Sequence, residues 1–186
     1  MRLIRLYLKS PVAAVAACLA LLCPAIADEA ELDALFAGLQ NANPETVQQI
    51  EKQIYRIWSQ SGSPAMDLLL ERGRKAHAEG DFGLAIEHFS ALVDHAPDFA
   101  EGYNARATAY FQTGRFGQSL ADIRQTLRLN PRHFGAISGL AAILEQIGRP
   151  EDSLEALRAV EELSPHREGL SDAISRLERE VEGEAI

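Results

Sequence analysis

The sequence predicts an all-α chain built from helix pairs in tandem, and three observations carry that reading. Beyond Asp28 almost every segment places apolar residues at three- and four-residue spacing, the period of a helix with one buried face. Runs of β-branched residues in strict alternation, which a half-buried strand requires, are absent. Pro97, Pro131 and Pro165 recur every 34 residues, and so do Gly80, Gly114 and Gly148. A repeated two-helix unit explains both series, because each unit needs a turn at its middle and a stop at its end.

Residues 1–27 have the layout of a cleaved secretory signal. Arg2, Arg5 and Lys9 give a basic start, an apolar stretch runs from Pro11 to Cys23, and Ala25-Ile26-Ala27 supplies the small-x-small cleavage pattern. The apolar run is shorter than the roughly 20 residues that span a bilayer. Cleavage after Ala27 is therefore expected, leaving no membrane span. Two alternatives stay open: an anchor retained at the N-terminus, or lipidation at Cys18 within a lipobox-like Val15-Ala16-Ala17-Cys18. Both cysteines, Cys18 and Cys23, lie in this segment, so the mature chain would have neither disulfide nor thiolate.

A helical hairpin follows over 28–64. Leu32, Leu35, Phe36 and Leu39 form one stripe, Asn43-Pro44-Glu45 restarts the chain, and Val47, Ile50, Ile54, Ile57 and Trp58 form a second. It is expected to cover the first repeat unit. Three units follow, at 66–99, 100–133 and 134–167. Gly80, Gly114 and Gly148 fall where a first helix ends and a left-handed residue is needed. The three prolines stop each second helix. Unit positions 4, 7, 8, 11, 20, 24 and 27 should form the core; positions 8 and 20 hold small residues such as Gly73, Ala85, Ala107 and Ser119 that let helices approach. Arg72 and Arg106 interrupt that pattern at position 7, where their stems can cover apolar surface while the charge reaches water. Residues 168–182 read as a capping helix carrying Ala173, Ile174, Leu177 and Val181 on one side, and 183–186 as a frayed tail.

The chain has 18 basic and 27 acidic residues and a formal charge of −9. Loss of the signal removes three bases and no acids, leaving 15 against 27 and a charge of −12. An acidic exterior of that kind repels nucleic acid and anionic membranes, and also serves plain solubility.

The register of the three units over residues 66–167 resembles the tetratricopeptide repeat. The resemblance implies a right-handed α-solenoid whose first helices line a concave groove, and an activity of binding a peptide or helix of another protein. Unit positions 2, 5, 9, 12 and 13 would then face the groove. In the first unit these include Leu70, Arg74 and His77; in the second Glu101, Asn104, Thr108, Phe111 and Gln112; in the third Ser138, Ala142 and Glu145, beside Gly135. On this reading Arg74 would meet a carboxylate, Asn104 and Gln112 a peptide backbone, and Leu70 and Phe111 an apolar side chain. The same positions equally suit a solvated helix face, since a fold alone does not define a site. Members that grip the terminal carboxylates of chaperone tails carry lysine, asparagine and arginine where this chain has Leu70, Arg74, Ala105, Gly135 and Gly139, so that clamp is not expected. Gly135, Ser138, Gly139 and Ala142 form a small-residue face, suited either to a partner's close approach or to internal packing.

Nothing in the sequence favours an enzyme, a cofactor or a metal. His88 and His95 lie about 10.5 Å apart along one helix, too far to share an ion. His77, His133 and His166 sit near different helix ends. Gly-rich phosphate loops and Gly-x-Ser-x-Gly are absent. The expected function is a non-enzymatic scaffold or adaptor of the cell envelope, periplasmic in a Gram-negative source, holding another envelope protein. Self-association remains an alternative, as does an assembly factor for an envelope complex such as cytochrome c maturation or outer-membrane machinery. A ligand or enzyme site between the hairpin and the first unit, near Tyr55 and Trp58, is the third, although core packing of an amphipathic helix explains both rings as well.

Overall fold

A computed structural model describes residues 23–184. Residues 1–22 of the expected export signal lie outside the described residues. Among the described residues there are no strands, and no helix is long and apolar enough to cross a membrane. The elements are α1 Cys23–Leu39, α2 Pro44–Trp58, α3 Pro64–Ala78, α4 Phe82–His95, α5 Ala100–Gln112, α6 Phe116–Leu129, α7 Phe134–Gln146, α8 Pro150–Leu163 and α9 Leu170–Glu184. From α3 to α8 each helix packs on the next, giving three stacked pairs in an α-solenoid. Helix α9 continues through Gly183 and Glu184, part of the tail expected to fray.

The turns repeat as closely as the sequence does. Gly80, Gly114 and Gly148 have φ values of 80°, 70° and 73°. In each case the residue after the glycine donates its N–H five residues back: Asp81 to the Ala76 carbonyl, Arg115 to Tyr110 and Arg149 to Leu144, all at 2.9 Å. That left-handed closure satisfies carbonyls the helix leaves over. Helix starts are capped by side chains as well: Asn43 accepts from Thr46 N–H at 2.9 Å and Asp81 from Leu84 N–H at 3.0 Å.

Within the pairs, a Cβ at Gly73 would collide with the Phe89 ring, so α3 and α4 can approach only because the residue there is glycine. The buried hydroxyls of Ser119 and Ser153 donate to the carbonyls of Ala107 and Ala141, at 2.8 and 2.9 Å. At position 7 Arg72 is exposed as expected, but the second unit departs from expectation. Arg106 does not reach outward; it binds both oxygens of Asp122 at 2.7 and 2.8 Å and lies between the Tyr103 and Tyr110 rings. The buried Asp122 carboxylate draws it in, and desolvation without a partner would be costly for either group.

The largest departure concerns the N-terminal hairpin. It does not cover the first unit. Helices α1 and α2 fold back onto the third, where Leu32, Phe36, Leu39, Val47 and Ile54 join one core with Phe134, Ile137, Leu144 and Val160. Phe36, Tyr55 and Trp58 all contact the Phe134 ring, at 6.3, 5.2 and 5.1 Å between centroids. The rim is polar: Arg132 binds Glu29 at 2.8 Å and Asp33 at 2.6 Å, Arg167 pairs with Glu51 at 3.5 Å, and Gln48 donates to Glu168 at 2.7 Å. The first unit offers no comparable seat. Where units two and three present buried Ala109 and Ile143, it presents Lys75, which is exposed.

Candidate functional site

Helices α3, α5 and α7 stand side by side as the first helices of their units, and two adjoining recesses lie along the face they share. The larger, about 330 Å³, lies between α5 and α7 and is lined by Asn104, Thr108, Phe111, Gln112, Ser138 and Ala142, with Ile123 and Gly139 at its floor. The smaller, about 160 Å³, lies between α3 and α5 and includes Arg74, His77, Phe89, Glu101, Asn104 and Thr108. Asn104 and Thr108 border both. Seven-residue spacing on one helix face brings Asn104 and Phe111 into line, and the small α7 residues leave the larger recess open.

Of the residues expected in the groove, six surround the larger recess, and Arg74, His77 and Glu101 join the smaller. Two do not. Leu70 is buried with Phe89, Ala105 and Ala109, because the short side chains of α5 leave room for it inside. Glu145 pairs with Arg176 of α9 at 2.9 Å, beyond both recesses. Arg74 already meets a carboxylate within the chain: its Nη2 binds Glu101 and donates to Ser59 at 3.0 Å.

Glu101 is the centre of this arrangement and is only 4% exposed. Its carboxylate accepts from Arg74 of α3, from the Asn104 amide at 3.1 Å and from His133 Nε2 at 2.9 Å. His133 Nδ1 accepts the Ala136 N–H at 3.1 Å, which places the imidazole proton on Nε2, facing the carboxylate. Trp58 stacks on the imidazole with centroids 4.4 Å apart. One buried acid thus ties α3 of the first unit to α5 of the second and to His133, the N-cap of α7, beneath the hairpin.

Sequence reasoning missed His133 and the true seat of Tyr55 and Trp58. Their rings turn to the third unit rather than enclosing a site against the first; the hollow bordered by Tyr55, Arg56, Ser59, Gln60, Arg74 and Glu101 lies beside them and is open. A Cβ at Gly135 would collide with the Tyr55 hydroxyl. Burial is the main cause that raises the Tyr55 pKa above the ordinary 10.0, with Arg167 opposing it, so the phenol stays protonated at neutral pH.

The sequence profile of the tetratricopeptide repeat matches residues 70–120 and 104–168. This chain belongs to that family. A TPR repeat-containing protein of Rhizobium etli is 33% identical over 153 residues, an alignment covering 82% of this chain and 75% of that one. The small glutamine-rich tetratricopeptide repeat-containing protein 2 of Mycosarcoma maydis is 28% identical over 107 residues, with 58% of this chain and 30% of that protein aligned. Among solved structures, the first TPR domain of Spaghetti (RPAP3), bound to an HSP90 peptide, superposes with a TM-score of 0.60 at 22% identity, over 62% of this chain and 92% of that one. The Sgt2 TPR domain of Aspergillus fumigatus gives 0.60 at 20% identity, over 64% and 81%. These neighbours share the fold.

Proposed function

We propose that this tetratricopeptide protein is a non-enzymatic interaction scaffold of the cell envelope that holds a segment of another protein along its concave face. The larger recess carries the reading: it is a preformed, largely apolar cavity between first helices, and it suits one apolar side chain of a partner. A relative of the same fold holds a peptide from a chaperone. Here the hairpin stands over the N-terminal ends of α5 and α7, so the partner would lie toward their C-terminal halves, beside Phe111, Gln112 and Ala142. Because the groove is already shaped, binding costs little reorganisation of the scaffold.

Export belongs to the same proposal. It rests on the basic start, the apolar run and Ala25-Ile26-Ala27, and it predicts a mature N-terminus at Asp28, read by intact-mass measurement of protein recovered from cells. The binding surface is tested with a photo-cross-linking residue at Gln112 in living cells. Protein adducts are expected there, lost on adding Phe111→Asp, and absent when the cross-linker is at Arg124 on α6. Adducts that survive Phe111→Asp, with helicity unchanged, would reject the groove.

A further inference from the structure

We infer that the N-terminal hairpin is a strap: it ties the first unit to the third and holds the solenoid at one curvature. The inference concerns the scaffold itself and is tested without any partner. In a stack of repeats each unit touches only its neighbours, so small rotations at the junctions add up along it. Two junctions here leave room for such rotation. Leu70, Phe89 and Leu92 form a core with Ala105 and Ala109 that is distinct from the core shared by the hairpin and the third unit. Between α5 and α7, Gly135, Ser138, Gly139 and Ala142 are small and leave the recess of about 330 Å³, so the two helices gain little contact on the concave side.

The hairpin bridges both junctions. Its apolar side is seated on the third unit, with Phe36, Tyr55 and Trp58 around Phe134, and the Tyr55 hydroxyl fills the space a Cβ on Gly135 would need. Its other end is fastened to the first unit, because α2 leads into α3 through residues 59–63. That connection reaches at most about 18 Å even when fully extended, and hydrogen bonds draw it in further. Ser61 donates its N–H and its hydroxyl to Asp67 of α3 at 2.8 and 2.6 Å, and Arg74 of α3 donates to Ser59 at 3.0 Å. At the same corner Glu101 joins Arg74 to His133, on which Trp58 stacks. First unit, hairpin and third unit thus close a ring through the second. Any change of curvature must stretch a short, bonded connection or lift the hairpin and bring its aromatic rings into water.

The test separates a strap from a simple cover, which would work with a connection of any length. About ten residues of Gly and Ser are inserted between Gln60 and Ser61, adding roughly 17 Å of flexible reach, together with Ser59→Ala to remove the bond from Arg74. The site is open: Gln60 is exposed, and a Cβ on Gly62 would touch nothing. Nitroxide labels go on Glu71→Cys of α3 and Glu155→Cys of α8, both exposed, in a chain carrying Cys18→Ser and Cys23→Ser. The distance between them is read by double electron–electron resonance. The insertion should widen the distance distribution while Trp58 emission and helicity stay unchanged, because the hairpin keeps its seat. A width that stays the same or narrows would overturn the strap, since repeat contacts alone would then set the curvature. Widening that comes with a red shift of Trp58 or a loss of helix would overturn it too, because burial of the hairpin rather than its short connection would be what stiffens the stack.

Discussion

The outer face of the first unit and the inner edge of the third are built from the same repeat, yet one is left bare and the other buried. At unit position 3, Gly102 and Ala136 are covered by the preceding unit, whereas Leu68 is 44% exposed. At position 1 the order reverses: Met66 and Ala100 are half-buried, while Phe134 is fully enclosed by the hairpin. The contrast teaches that where the chain folds back is decided by a few side chains at the unit boundary rather than by the repeat. Lys75 and Arg72 finish the first unit as a polar end of the kind solenoids require. Phe134 and Gly135, with His133 just before them, make the third unit a seat.

The sharpest way to break this contrast is Phe134→Ala. It removes the ring on which Phe36, Tyr55 and Trp58 converge and should cost about 3–5 kcal/mol of stability in denaturant unfolding, the range for a buried aromatic truncation. Trp58 is the only tryptophan, so its emission should shift to longer wavelength. Next is Gly135→Ala, whose added methyl meets the Tyr55 hydroxyl. It should destabilise by about 1–3 kcal/mol through overpacking and should expose Trp58 to acrylamide quenching while the repeat helices persist by circular dichroism.

Alkali gives a smaller effect. The Tyr55 pKa is raised in the folded chain, so the folded state holds its proton more tightly than the unfolded state does. That contribution is complete below about pH 10, the unfolded value, and is lost as pH rises through the higher folded value. The unfolding midpoint of the wild-type chain should therefore fall more steeply above about pH 10 than that of Tyr55→Phe. Smallest of all is Leu68→Ser on the bare face, expected to change stability by no more than about 0.5 kcal/mol and to leave light scattering unaltered. A large loss there would mean that this face is covered in solution.

Much of the architecture was legible because it rests on local chemistry. A glycine with positive φ and a proline that ends a helix speak for themselves, and three copies in phase leave little choice of fold. Asn104, Thr108, Phe111 and Gln112 meet Ser138 and Ala142 around one recess, at positions that the resemblance to the tetratricopeptide repeat implies for the groove. Leu70 was misplaced because inward or outward orientation at its position depends on the size of Ala105 and Ala109 on the facing helix. The fold-back of the hairpin was hidden for a deeper reason. An apolar stripe says that a helix must be covered, and says nothing of by what. The available clue was Phe134 followed by Gly135, a large ring and an absent side chain where the earlier units carry Met66-Asp67 and Ala100-Glu101. The Glu101 network was invisible for want of any local pattern, since Arg74 and His133 lie 27 and 32 residues from it.

The fold-back also orders events in time. Glu29 meets Arg132 across 103 positions and Gln40 reaches Glu162 across 122, whereas the repeats close through neighbours. Nearest-neighbour pairs can zip up as they emerge, but a ring closed over so long a loop forms only after its far end exists. Helices α1 and α2, although they precede the repeats in the chain, are thus expected to find their place after them, and refolding followed by indole emission should lag behind the gain of helix.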